Sequence, residues 1–260
     1  MKNIFFDFYN LIINLFIKTK EVNKFKLPSQ GLFYQNDFLI EIKKASLEDI
    51  KDYEDDFEKN NLALVIQKVK KIVEKNIILP DNYSFDDLKS IDVVFIFLEI
   101  VKFTKNSKIN INYINNKNII ETIEFDSNTF NYYDVDKSLL KYYNIDTKTF
   151  SIDGYNFSLP SIGVENSLTI FLLYHSDTEE AYKYTNVEFD FTYFLSNKNF
   201  LTFEEIDNLI EIFNYDLELE EKQKIKKIIK TFTPLQKYSL IKDGKEIDIN
   251  SKIDLEKIWK

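Results

Sequence analysis

The chain's 260 residues allow one large domain or two small ones, and with 44% hydrophobic and 30% charged residues it can bury an ordinary globular core. Its 43 acidic residues outnumber its 34 basic ones for a net charge of -9, and every basic residue is Lys; this argues against a general nucleic-acid binder, which uses excess positive charge and Arg forks. Cys 0 and His 1 exclude disulfides, thiolate-bound zinc, iron–sulfur clusters, Cys nucleophiles and multi-His metal sites within one chain.

Residues 4–17 are strongly apolar, but Asn3, Asp7, Asn10, Asn14 and Lys18 recur at helical spacing. The stretch is short for a membrane span and has no small-residue cleavage site. It predicts an amphipathic helix or arm over 1–20 that docks rather than inserts. Phe5, Phe8, Ile12 and Phe16 lie on its apolar face, which needs cover from the protein's own core or from a partner. Residues 24–27 read as extended, and Pro28 and Gly31 supply turn chemistry. A strand is expected over 38–43, with Phe38, Ile40 and Ile42 on one face. Ser46 then caps an acidic helix to about Phe57, and 62–75 follow as a second helix.

Ser84 is placed to cap a helix running to about Thr104, with Asp86 and Asp87 at its positive end. Its almost continuously apolar middle, 91–101, predicts a central, enclosed helix. Residues 109–113 and 119–125 alternate about an Asn-rich turn and predict a hairpin. Residues 135–143 read as a short helix or a bridging segment. Asp153-Gly154 between two alternating runs is the strongest short hairpin signal in the chain. Helices are expected over 164–174, from the Thr202–Glu205 capping box to about Phe213, and over 218–232. Pro234 opens a short helical segment, 246–249 reads as extended and 255–259 as a helical turn. The whole is an α+β layout, mostly helical with short antiparallel hairpins. It divides into an arm (1–20), an α+β core (21–176) and a mainly helical C-terminal region (177–260).

Motifs for chemistry are sparse. Gly31, Gly154, Gly163 and Gly244 form no phosphate loop. His175 ends an apolar helix, where a cation suits the dipole, and no nucleophile elbow accompanies it. The acids around Asp52 read as a solvated helix face, and the Lys-rich helix near Lys226 as an ordinary amphipathic one. No catalytic residue, cofactor or metal is expected. A carboxylate-dependent hydrolase is the enzymatic alternative.

Leu27-Pro28-Ser29-Gln30-Gly31-Leu32-Phe33-Tyr34, followed by Ile40-Glu41-Ile42 and the acidic helix from Ser46, resembles the opening of T-even-type phage baseplate hub proteins. Asp92 before the long apolar run of residues 88–102 is similar to that family's central helix. Phe157-Ser158-Leu159-Pro160 looks like its later strand. The resemblance covers residues 27–172 and implies a structural or assembly component of a contractile tail. Such a component binds hub, spike or tape-measure proteins, in the virion or in the host cytoplasm during assembly. A hub-assembly chaperone absent from the mature particle is the alternative within that reading. Many relatives carry a Cys-x-x-Cys zinc ribbon where this chain has 109–125; here a hydrogen-bonded hairpin is expected instead. Phe5, Phe8, Ile12, Phe16, Pro28, Gly31, Phe33 and Tyr34 are the expected interaction residues.

Overall fold

The computed structural model describes residues 23–25, 27, 33–34, 38–57, 62–114, 119–125, 130–132, 141–152, 154–176, 198–232, 238–242, 245–248, 253–254 and 258–259. The fold is α+β, mostly helical, with short antiparallel strands. The arm and its Phe5, Phe8, Ile12 and Phe16, together with Pro28 and Gly31, lie outside the described residues.

A first sheet joins β1 (Asn23–Phe25), β2 (Ile40–Ile42) and β3 (Ile77–Ile78) in that order. Between β2 and β3 run α1 (Leu47–Phe57) and α2 (Leu62–Asn76). The start of α1 is fixed by Ser46 and Asp49. The Asp49 backbone N–H donates to Ser46 Oγ at 3.1 Å, and the Ser46 N–H donates to Asp49 Oδ2 at 3.0 Å. Helix α3 (Ser90–Lys105) is the centre of the molecule. Its Val93, Phe95, Ile96, Phe97, Leu98, Ile100 and Val101 are all buried, as a helix apolar on every side requires. Asn106, left-handed at φ 50°, closes it, and Lys102 and Lys105 sit in its negative last turn.

The hairpin of β4 (Ile109–Ile114) and β5 (Ile120–Phe125) lies against this helix in full register, from Ile109 opposite Phe125 to Ile114 opposite Ile120. Phe125 stacks edge-on to Phe95 at 5.8 Å. Short strands β6 (Phe130–Tyr132) and β7 (Tyr143–Asn144) follow. Next come the hairpin strands β8 (Thr149–Ile152) and β9 (Tyr155–Phe157). Gly154 holds the tip of that hairpin at φ 86°, the conformation expected of its Asp-Gly turn. Helix α4 (Ile162–Ser176) packs on α5 (Phe203–Glu211) through a second, smaller core of Val164, Leu168, Phe171, Leu201, Ile206 and Ile210. The Thr202–Glu205 capping box opens α5 as its sequence predicts, and a π-helical turn (Ile212–Asp216) leads to α6 (Leu219–Phe232).

The last strands return to earlier parts of the chain. β10 (Tyr238–Lys242) pairs with both β11 (Lys245–Asp248) and β6, and β12 (Ile253–Asp254) pairs with β4. Ile258 and Trp259 are buried in the first core, where Trp259 meets Phe97 edge-on at 6.0 Å.

Three expectations change. The single helix expected from Ser84 is a 3-10 turn (Phe85–Asp87), then a break at Leu88 and Lys89, then α3. The break exists because Leu88 is extended and its carbonyl accepts the Ile162 N–H at 2.8 Å, while Lys89 bridges to Ser161. The helical segment expected from Pro234 gives way to β10 at Tyr238, whose alternating Tyr238, Leu240 and neighbours gain partners on both edges; 233–237 lie outside the described residues. Tyr143, expected in a helix or bridging segment, is in β7 against Phe150, and 133–140 are outside the described residues.

Gly163 sits where α4 meets the chain near Asn199. A Cβ there would collide with the Asn199 carbonyl oxygen and lie 2.9 Å from Asp86 Cβ. Gly163→Ala is therefore expected to cost more than about 2 kcal/mol in urea unfolding. Gly154→Ala, with open space but a positive φ, should cost about 1 kcal/mol.

Candidate interaction site: a knot of three segments

Tyr34 is the last residue of the Pro-Gly corner, and it turns inward. The residue is 1% exposed. Its hydroxyl donates to Asp92 Oδ2 at 2.7 Å, across 58 residues of sequence, and accepts the Lys89 backbone N–H at 2.8 Å. Asp92 is itself fully buried, in the first turn of α3, where the helix dipole favours a negative charge. In a capping box the first-turn carboxylate bonds directly to the N-cap N–H. Here Lys89 is the N-cap and offers no side-chain cap, and the tyrosine hydroxyl is inserted between the two groups.

The ring of Tyr34 is held from the side. Phe38 stacks on it at 4.3 Å and 8° between planes, and Tyr83 meets Phe38 edge-on at 4.5 Å. The third segment closes over the same break in the helix. Ser90 N–H donates to Pro160 O at 3.1 Å, and Ile162 N–H to Leu88 O at 2.8 Å. Ser161 Oγ donates to Asn199 O and accepts the Val164 N–H, and Asn199 Nδ2 reaches Asp87 Oδ1 at 2.5 Å. The Leu-Pro of residues 159–160, the Tyr34 corner and the start of the apolar helix are thus brought to one place.

Burial sets the electrostatics. It holds the Tyr34 hydroxyl well above its ordinary value near 10, with the Asp92 charge adding to the effect. Burial likewise pulls the Lys89 ammonium down to about 8, against the favourable charges of Asp92 and Asp87. Away from the knot, burial would raise Asp49, but hydrogen bonds from Lys75 and Ser46 outweigh it and hold the carboxylate at about 2.

Of the expected interaction residues, Phe33 and Tyr34 are described, and both are buried in the chain's own core, at 6% and 1% exposure. They therefore anchor the corner from within, and a partner meeting that corner would touch other residues. Nothing in the sequence marks Lys89 or Asn199; Asp92, a lone acid opening an apolar run, is the available signal. His175 lies among rings, with Phe171 at 4.5 Å and Tyr174 at 5.1 Å. Among the described residues no group of three or more His, Cys, Asp or Glu is arranged to hold a metal, and no helix is long and apolar enough to cross a membrane. No protein-family model, curated protein or solved structure matches the chain.

Tyr34→Phe keeps the ring and removes the bridge. It should destabilise the protein by about 1–3 kcal/mol in chemical denaturation, because the buried Asp92 carboxylate loses a donor. The pH dependence has a definite sign. Between about pH 8 and 10 the unfolded state holds the Lys89 proton that the folded state has released, so stability rises with pH. Lys89 should contribute about 2 kcal/mol between pH 7 and 9.5. Above pH 10 the sign reverses, because buried Tyr34 and Tyr113 (the latter at about 12) stay protonated in the fold and ionise in the unfolded chain. Unfolding wild type and Lys89→Met in parallel isolates the Lys89 share, which should vanish in the variant.

Proposed function

We propose that this protein is a structural or assembly component of the baseplate hub of a contractile-tailed phage, working by binding other tail proteins. The observation that carries the reading is the knot. The resemblance rests on residues 27–34 with Ile40-Glu41-Ile42 and the acidic helix from Ser46, on residues 88–102 with Asp92, and on Phe157-Ser158-Leu159-Pro160; the Tyr34 corner, the start of the apolar helix and the Leu-Pro meet in the knot. Here Tyr34 bonds Asp92, and Pro160 accepts the N–H of Ser90 two residues before Asp92. These residues share a structural task, and that joint task is what supports the reading.

The rest of the chain fits a binding role. Several acids are engaged on the chain's own surface, such as Asp49 with Lys75 and Glu165 with Lys70. The β4–β5 hairpin is closed by its own ladder and by the bond from Tyr113 Oη to Glu121 at 2.6 Å, in the place where a zinc ribbon stands in many hub proteins. In this reading the protein has no catalytic residues or cofactor. It resides in the tail baseplate of the virion, or in the host cytoplasm while the hub is assembled.

Mass spectrometry of purified particles and of tail-assembly intermediates tests the proposal. A resident subunit appears in particles at fixed stoichiometry; an assembly chaperone appears only with the intermediates. Absence from both overturns the reading.

A further inference from the structure

The segment that carries β12 and Trp259 holds to the rest of the fold at two places. One is the edge of β4. On its other edge β4 is paired with β5 along all of Ile109–Ile114. On this edge, among the described residues, β12 meets it at two positions, Ile253 opposite Tyr113 and Asp254 opposite Asn112. The second place is an aromatic slot between α1 and α3. There the indole of Trp259 sits edge-on to Phe97 at 6.0 Å and to Tyr53 at 6.5 Å. Tyr53 and Phe97 also meet each other, at 5.5 Å, so two walls of the slot stand without the indole.

Both attachments are incomplete. A two-residue ladder supplies few backbone hydrogen bonds, and elements held in this way open below the global unfolding free energy. The indole Nε1–H is buried, and among the described residues it has no hydrogen-bond acceptor. The slot therefore takes the ring and leaves its one polar atom unanswered, which weakens closure. The segment is joined to β11, a strand of a different sheet, by only four residues, Ile249-Asn250-Ser251-Lys252. Short connections of this kind favour exchange of an element between identical copies. Release uncovers the β4 edge and the slot together, and the sequence that matches both is the segment's own.

We propose that the segment carrying β12 and Trp259 is an exchangeable strap, and that the β4 edge and the Tyr53–Phe97 slot of one copy take the strap of a second copy. The contacts are the ones described above, made between two chains in place of within one. The exchange is reciprocal, so each copy completes the other, as a two-fold pair requires. The inference stands on the strap alone and does not depend on the baseplate reading.

The sequence supplies two probes for a test on the full chain, because it has one Trp and no Cys. Emission from Trp259 reports the strap by itself. In a urea titration it is expected to shift to the red at least about 1 M before far-UV circular dichroism is lost. Coincident transitions overturn the independent strap. Exchange is read with two variants, Asn112→Cys and Asp254→Cys, one of them carrying a size tag. The two positions face each other across the β4–β12 ladder, within disulfide reach for opposed residues. Mixed at about 100 μM and oxidised, they should give at least about fivefold more heterodimer than either homodimer, where random coupling gives about twofold. The excess should disappear when oxidation follows dilution to about 1 μM. A heterodimer share no higher than the random one overturns the exchange. Trp259→Ala in the Asp254→Cys copy should lower the heterodimer yield at least about threefold, and an unchanged yield overturns the part given to the slot. In a chain with both substitutions, oxidised while dilute, the disulfide should close within one copy and abolish the early red shift. Failure to close it overturns the pairing on which the strap rests.

Discussion

A single hydroxyl ties the corner before β2 to the start of the central helix. Helix α3 can be central only because it is apolar all round, and an apolar helix buried at its N-terminus leaves backbone donors to satisfy. Asp92 is the negative group at that end, and a buried carboxylate requires donors. Tyr34 supplies one while taking up the Lys89 N–H, so the helix start, the corner before β2 and the 159–162 segment are fixed together. Lys89 is left as a cation in a poor place: it is largely buried, which is why its proton is held weakly.

Much of the fold is written locally. The apolar run of α3, the alternation of β4 and β5, the Gly154 turn and the capping boxes at Ser46 and Thr202 are all short-range signals, and each produces the element it predicts. The features that differ depend on residues far away in sequence. Nothing near Leu88 announces a break, because its cause is the Ile162 N–H. Nothing near Tyr238 decides between helix and strand until β6, more than a hundred residues earlier, is placed beside it. Local propensity is a weak prior against such pairing.

The knot was half legible. Tyr34 and Asp92 stand out in the sequence, one closing a Pro-Gly corner and the other opening an apolar run, but their bond is a fact of three dimensions. Phe33 and Tyr34 illustrate the limit of reading function from hydrophobicity: a conspicuous aromatic pair beside a turn is as suited to holding that turn down as to meeting a partner. Helix α4 is the converse case. Its apolar residues look like core in the sequence, and only burial separates Leu168 from Leu173.

The threading of the final strands has a consequence for biosynthesis. β12 completes the sheet begun by β4, and Trp259 seals the ring cluster of Tyr53 and Phe97. A nascent polypeptide emerging from the ribosome at roughly 5–20 residues per second makes the central helix many seconds before these closing pieces exist. During that interval greasy surface on the early half has no native lid, and long-range pairing of this kind is slow to form. Translation of the final stretch is therefore a folding event in its own right, and a stall shortly before it leaves a sticky, unfinished intermediate.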